Sequence, residues 1–173
     1  MSRPNYLAAI ATTSSIAFAA GIATVQPGQA TNLVSITCQQ QESVPTVIAI
    51  LSNQDVSQAT PLLSFLPQYF EAAQASQYCQ SAAAKLQTYY SQERMNYLAS
   101  DTIAGKPVVC AVERRGLSCD SYSSDILFSL SQAVSPTELL YNMLGSEFKG
   151  SKAPSSRTVS RIYTDLRPLW WPF

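Results

Sequence analysis

The chain has 173 residues with 11 basic and 11 acidic side chains, a formal charge of zero that leaves no electrostatic footprint for nucleic acid. It contains no histidine, which removes Ser-His-Asp and Cys-His nucleophiles, His-containing zinc sites and His-ligated haem. Charged residues are only 13% of the chain, so its polar surface is built mainly from Gln and Ser.

Residues 1–30 read as an export leader. Arg3 is the only charge before Glu42, and Leu7–Val25 is a weakly apolar run. Small residues at Gly28 and Ala30 follow, which predicts a signal peptide cleaved at Ala30–Thr31. An uncleaved anchor is the alternative. Thr12, Thr13, Ser14, Ser15 and Thr24 interrupt the run, which is close to the ~20 apolar residues a spanning helix needs. Cys38 follows Ser35-Ile36-Thr37 and lacks the small residue that precedes a lipidated cysteine. Cleavage leaves ~140 residues, enough for one domain, expected over 31–166, with an aromatic tail at 167–173.

Leu33–Gln40 alternates apolar and polar residues and predicts a first strand. Val44-Pro45 marks a turn, and Thr46–Ser52 a second strand. Residues 53–61 read as a loop. Leu62–Phe70 starts extended until Pro67 breaks the run. The main helix is expected over Ser76–Leu98, with Cys79, Ala82, Ala83, Leu86 and Tyr90 on one stripe. Asp101–Gly105 turns the chain. Lys106–Glu113 is a near-continuous apolar run and predicts a central strand buried on both faces.

Arg114-Arg115-Gly116 reads as a hairpin tip, after which LSCDSY returns, and Asp125–Ser131 is another strand or the continuation of that one. Ser135-Pro136-Thr137-Glu138 is a helix start with a capping box, and Gly145 a stop. Residues 150–156 are a linker. Thr158–Leu166 alternates and closes the sheet as an edge strand. The expected fold is α+β, a mainly antiparallel sheet with one long and one short helix on one face.

Four cysteines, Cys38, Cys79, Cys110 and Cys119, allow three pairings. They carry no C-x-x-C knuckle, so two disulfides are expected rather than a metal site. If Val112 pairs with Leu117 across the tip, Cys110 falls opposite Cys119, close enough to bridge. Cys38 then joins Cys79, stapling first strand to main helix for ~3–4 kcal/mol.

The order of these motifs resembles the cyanobacterial circadian oscillating protein domain family. The matching segments are SITCQQQ with TVIAI, SFLPQYF, YCQSAAAKLQTYY running into RMNYL, GKPVVCAV, LSCD, LFSL, PTELLYNML and RIYTDL. Tyr78 stands where the family usually has Arg, Phe65 where it usually has Trp, and YSSD after Asp120 is longer than usual. The resemblance implies an exported protein of the periplasm or thylakoid lumen, associated with a membrane. It implies no enzymatic activity and transfers no functional residue.

Binding candidates come from the residues themselves. Trp170, Trp171 and Phe173, with Pro168 and Pro172, make either a docking tail or a flap folded over the domain's own core. Arg114 and Arg115 could contact anionic lipid, pigment carboxylates or a partner, although an ordinary solvated turn is expected. Tyr69, Phe70, Tyr78, Tyr89, Tyr90 and Tyr97 crowd the main helix and could line a ligand cleft between helix and sheet, although core packing with an amphipathic rim is expected. Asp120 and Asp125 bracket a serine-rich loop that could hold calcium, although a polar loop is expected. The expected function is a non-enzymatic binding or structural domain, with no cofactor or metal. Its partner would be a membrane surface or an envelope protein. A small-ligand carrier is the alternative, and an enzyme using only Asp, Glu, Tyr, Ser and Arg ranks last.

Overall fold

The computed structural model describes residues 33–52, 57–94, 96–131, 134–149 and 161–166. Strands β1 (Leu33–Gln41), β2 (Val44–Ser52) and β3 (Ser57–Ser64) precede helix α1 (Ala72–Ser91). Strands β4 (Tyr97–Ile103), β5 (Lys106–Val112) and β6 (Ser124–Ser129) follow, then helix α2 (Pro136–Met143) and strand β7 (Tyr163–Asp165). The α+β class and antiparallel pairing hold, but the strands divide into two sheets, ordered β1-β2-β3 and β6-β5-β4-β7.

Several boundaries differ from expectation for local reasons. The β1–β2 turn is Glu42-Ser43, with φ of 47° and 69°, the positive values a two-residue hairpin turn requires. Val44 and Pro45 therefore belong to β2, where the Pro45 carbonyl accepts the Phe65 amide at 2.8 Å. The loop expected over 53–61 is partly strand. Pro61 sits on the edge strand β3 beside a register shift at Val47/Ile48, where a missing N–H is tolerated. The main helix starts and stops earlier than expected, and Glu93 (φ 55°) follows its end. What reads as helix tail and turn is β4, paired along its whole length with β5. Ala104 and Gly105, both at positive φ, make that turn.

α1 buries Ala75, Cys79, Ala82, Ala83, Leu86 and Tyr89. Tyr90, expected on this stripe, is half-buried beside it. α2 begins after Ser135 with Pro136 in its first turn, as read, but Ser135 makes no capping bond; its hydroxyl lies 2.9 Å from that of Thr137. Of the closing edge strand, 163–165 forms; 158–160 and the linker lie outside the described residues.

One core holds both sheets and both helices. Val34, Ile36, Val47 and Ala49 of the first sheet meet Leu98, Val109, Ala111 and Phe128 of the second around the apolar residues of α1 and α2. A smaller cluster, Tyr97, Ala99, Val108, Cys110, Val112 and Cys119, lies on the other face of the second sheet and receives no helix residue. Both helices therefore pack on one face of that sheet, and β5 is buried on both, as expected.

Sheet edges are closed by side chains and loops. Gln87 accepts the Ile36 amide of β1 at 2.6 Å, Lys85 donates to the Ile126 carbonyl of β6, and Tyr78 donates to Ser129 at 3.3 Å. Gly145 donates to Leu62 of β3 at 3.2 Å. Such contacts occupy groups that would otherwise recruit another strand. Among the described residues, no helix is long and apolar enough to cross a membrane.

Candidate binding surface

Both expected disulfides form. Cys38 in β1 joins Cys79 in α1, and Cys110 in β5 joins Cys119. The second forms for a different reason than the hairpin reading gave. Val112 pairs with Ser124 and Cys110 with Ile126, so residues 117–119 are not a strand. Residues 113–123 instead form a loop that lies over the outer face of the second sheet, bringing Cys119 onto Cys110 from above.

A buried carboxylate fastens this loop. Asp101, 8% exposed, accepts the Cys119 amide at 3.2 Å and its neighbour Thr102 at 2.8 Å. Arg161 pairs with it at 2.9 Å, and that contact holds the guanidinium even more firmly protonated than usual. Tyr163 donates to the Leu117 carbonyl at 2.9 Å. Ser121 donates to Ser118, and Ser124 to both Cys119 and Ser121, each at 2.7 Å. Ser118 donates to Asp120, and this bond with the residue's own amide lowers the Asp120 pKa.

This fastened loop displays four side chains, Arg114, Arg115, Asp120 and Tyr122. Arg114 and Arg115 are exposed at its tip, and the Arg115 guanidinium lies 5.5 Å from the centre of the Tyr97 ring. Tyr122 is 95% exposed, although a large aromatic normally finds cover. The tip is tied to the base of the sheet. Arg94 pairs with Glu113 at 3.2 Å, and Asn96 donates to the Glu113 carbonyl at 2.6 Å. The Leu166 amide donates to the Asn96 carbonyl at 2.9 Å. Trp170, Trp171 and Phe173 lie outside the described residues.

The tyrosines do not gather around one cleft. Tyr69 and Tyr78 join Phe65, Phe70 and Phe128 in a packed aromatic cluster with ring centroids 5.2–6.5 Å apart. Tyr89 and Tyr90 lie farther along α1, where burial raises both phenol pKa values. Tyr97 is on the opposite face of the second sheet. Asp120 and Asp125 have separate partners, Ser118 and Lys85, rather than a common centre. An open groove of about 670 Å³, lined by Gln41, Glu42, Val44, Thr46, Ser64 and Leu66, lies at one end of the first sheet. Neither this groove nor the Asp101 clamp has a sequence signature, because each assembles residues far apart in the chain.

These features define a disulfide-stapled antiparallel α+β domain with a fastened surface loop, a construction at home in an oxidising compartment. The family model described as circadian oscillating protein COP23 matches residues 35–170. The chain belongs to that family, and the match runs from β1 past β7 and so takes in both disulfides and the loop. No curated protein and no solved structure matches it.

Proposed function

We propose that this is an exported, non-enzymatic binding domain of the periplasm or thylakoid lumen. Its contact surface is the loop at 113–123, and its partner is an envelope protein with an acidic face. One observation carries the reading. A loop held by a disulfide, an ion pair to the buried Asp101 and a set of serine and tyrosine hydrogen bonds nevertheless leaves Tyr122 95% exposed, with Arg114 and Arg115 exposed in the same loop. Tyr and Arg are the side chains that most often dominate protein interfaces, and a loop fixed in advance loses little entropy on docking. The carrier reading has less support, since the rings near the helix pack on one another.

A photo-crosslinking residue in place of Tyr122, introduced in the native host, tests this. The expected result is one discrete protein adduct, reduced at least tenfold by the R114E/R115E double substitution. An adduct unaffected by charge reversal, or none, overturns the proposal. Loop-dependent sedimentation with phosphatidylglycerol vesicles, without a protein adduct, would move the surface from a protein to a membrane.

A further inference from the structure

The loop at 113–123 is fastened on either side of its tip, not at the tip itself. Before the tip, the Glu113 carbonyl accepts the Asn96 side-chain amide at 2.6 Å, and the Glu113 carboxylate pairs with Arg94 at 3.2 Å. After it, the Leu117 carbonyl accepts the Tyr163 hydroxyl at 2.9 Å, and Cys119 is held by Asp101 and by its bond to Cys110. Arg114, Arg115 and Gly116 between these anchors are exposed. Gly116 has a φ of 90°, and a Cβ built there would meet nothing within 4 Å, so the tip stands in open space. Other cations are less open to attack. Among the described residues, Lys85, Arg94 and Arg161 pair with Asp125, Glu113 and Asp101, and Lys149 donates to the Asn142 carbonyl. Lys106 precedes Pro107, whose ring and missing N–H obstruct cleavage of the bond between them.

We propose that the bonds after Arg114 and Arg115 are a site of proteolytic modification by an arginine-specific endoprotease, and that the cut switches the loop off without taking the molecule apart. Such an enzyme seats a guanidinium against a carboxylate in its specificity pocket, and exposed loop tips are where nicking concentrates. Hydrolysis adds one water across the bond, leaving a carboxylate on the arginine and an ammonium on the residue after it. The two chains do not part. Cys110 lies before the cut and Cys119 after it, so their disulfide spans the break, and β5 and β6 on its two sides stay paired. The tip alone changes. A rigid turn becomes two chain ends, each free beyond its own anchor, with a new carboxylate beside the arginine's charge. Docking then has to order what was fixed in advance. That the cut silences the loop rests on the reading of the loop as a partner surface; the site itself does not.

Trypsin acting on the oxidised full-length protein is the probe. At a dose that leaves the bonds after Lys85, Arg94 and Arg161 intact, reductant should release a chain ending at Arg114 or Arg115. Without reductant, that chain should stay joined to the one beginning at Arg115 or Gly116. Far-ultraviolet circular dichroism should stay native. The photo-crosslinked adduct from position 122, formed by adding intact or nicked protein to host extract, should fall at least tenfold on nicking. A loop still uncut when Lys85, Arg94 or Arg161 has been cleaved overturns the site. Nicked protein that separates without reductant, or loses its circular dichroism, overturns the retained fold, and nicked protein that forms the adduct in full overturns the switch. No adduct from the intact protein defeats the loop's binding role instead, and the chain masses decide the site without it.

Discussion

Gly145 shows how much can depend on the absence of a single side chain. Its φ of −59° is open to any residue, so conformational freedom is not what the position requires. A Cβ there would sit 2.0 Å from the Pro61 carbonyl oxygen, and backbone cannot move aside as a flexible side chain can. The glycine lets the end of α2 press against β3, where Leu144 bridges to Leu63 and the Gly145 amide reaches Leu62. Gly145→Ala should therefore destabilise the domain by about 3 kcal/mol, the upper range for forced overpacking. Denaturant unfolding would show this as a lower midpoint with an unchanged slope; an unchanged midpoint would mean that the two segments separate freely.

Among the elements, those with a local code were legible in the chain. β1 shows alternation, β5 a continuous apolar run, and α2 its Ser135-Pro136 start. β3 and β4 were not legible, and the reason is physical. β4 buries Ser100 and Asp101, polar residues that are satisfied by distant segments. Arg161 supplies the charge for Asp101, and the Ile162 amide reaches the Ser100 hydroxyl at 3.5 Å. β3 carries a proline that only an edge strand tolerates, and edge position depends on the sheet rather than on the segment. The arginine tip could be read from the sequence, whereas the exposure of Tyr122 follows from a loop path set by the disulfide. The two disulfides should differ in their effect. Replacing Cys38 and Cys79 by Ala should cost about 4 kcal/mol, and replacing Cys110 and Cys119 about 3 kcal/mol, from the loops they close. The second pair should in addition free the loop, so partner capture should fall further than stability does. Urea midpoints and crosslinking yield, measured together on both variants, test this; equal losses of capture would contradict it.

At the scale of the molecule, one core joins two sheets, so there is no half that could loosen alone without exposing the other. Its alkaline limit follows from tyrosines on α1. Burial, then the charge of Asp125, raises the Tyr89 pKa, and burial, then Glu93, raises that of Tyr90. A folded-state pKa above the unfolded value means that the fold favours the neutral phenol. That stability is complete below the ordinary tyrosine value of about 10 and is lost as pH rises through the folded-state values. Stability should thus fall above about pH 10 in step with phenolate absorbance, and Tyr89→Phe should blunt the fall. A variant with an unaltered alkaline profile would exclude Tyr89 as a source.

The unequal spacing of the cysteines also bears on how the molecule is first oxidised. Cys110 and Cys119 are 9 residues apart, while Cys38 and Cys79 are 41 apart. Chain closure becomes more costly with length, roughly as the three-halves power, so the near pair meets several times more often than any other. Once that bond exists, only one pairing of the remaining two thiols is left. The three possible connectivities collapse to the native one at the first step, and the chain can mature without a reshuffling catalyst.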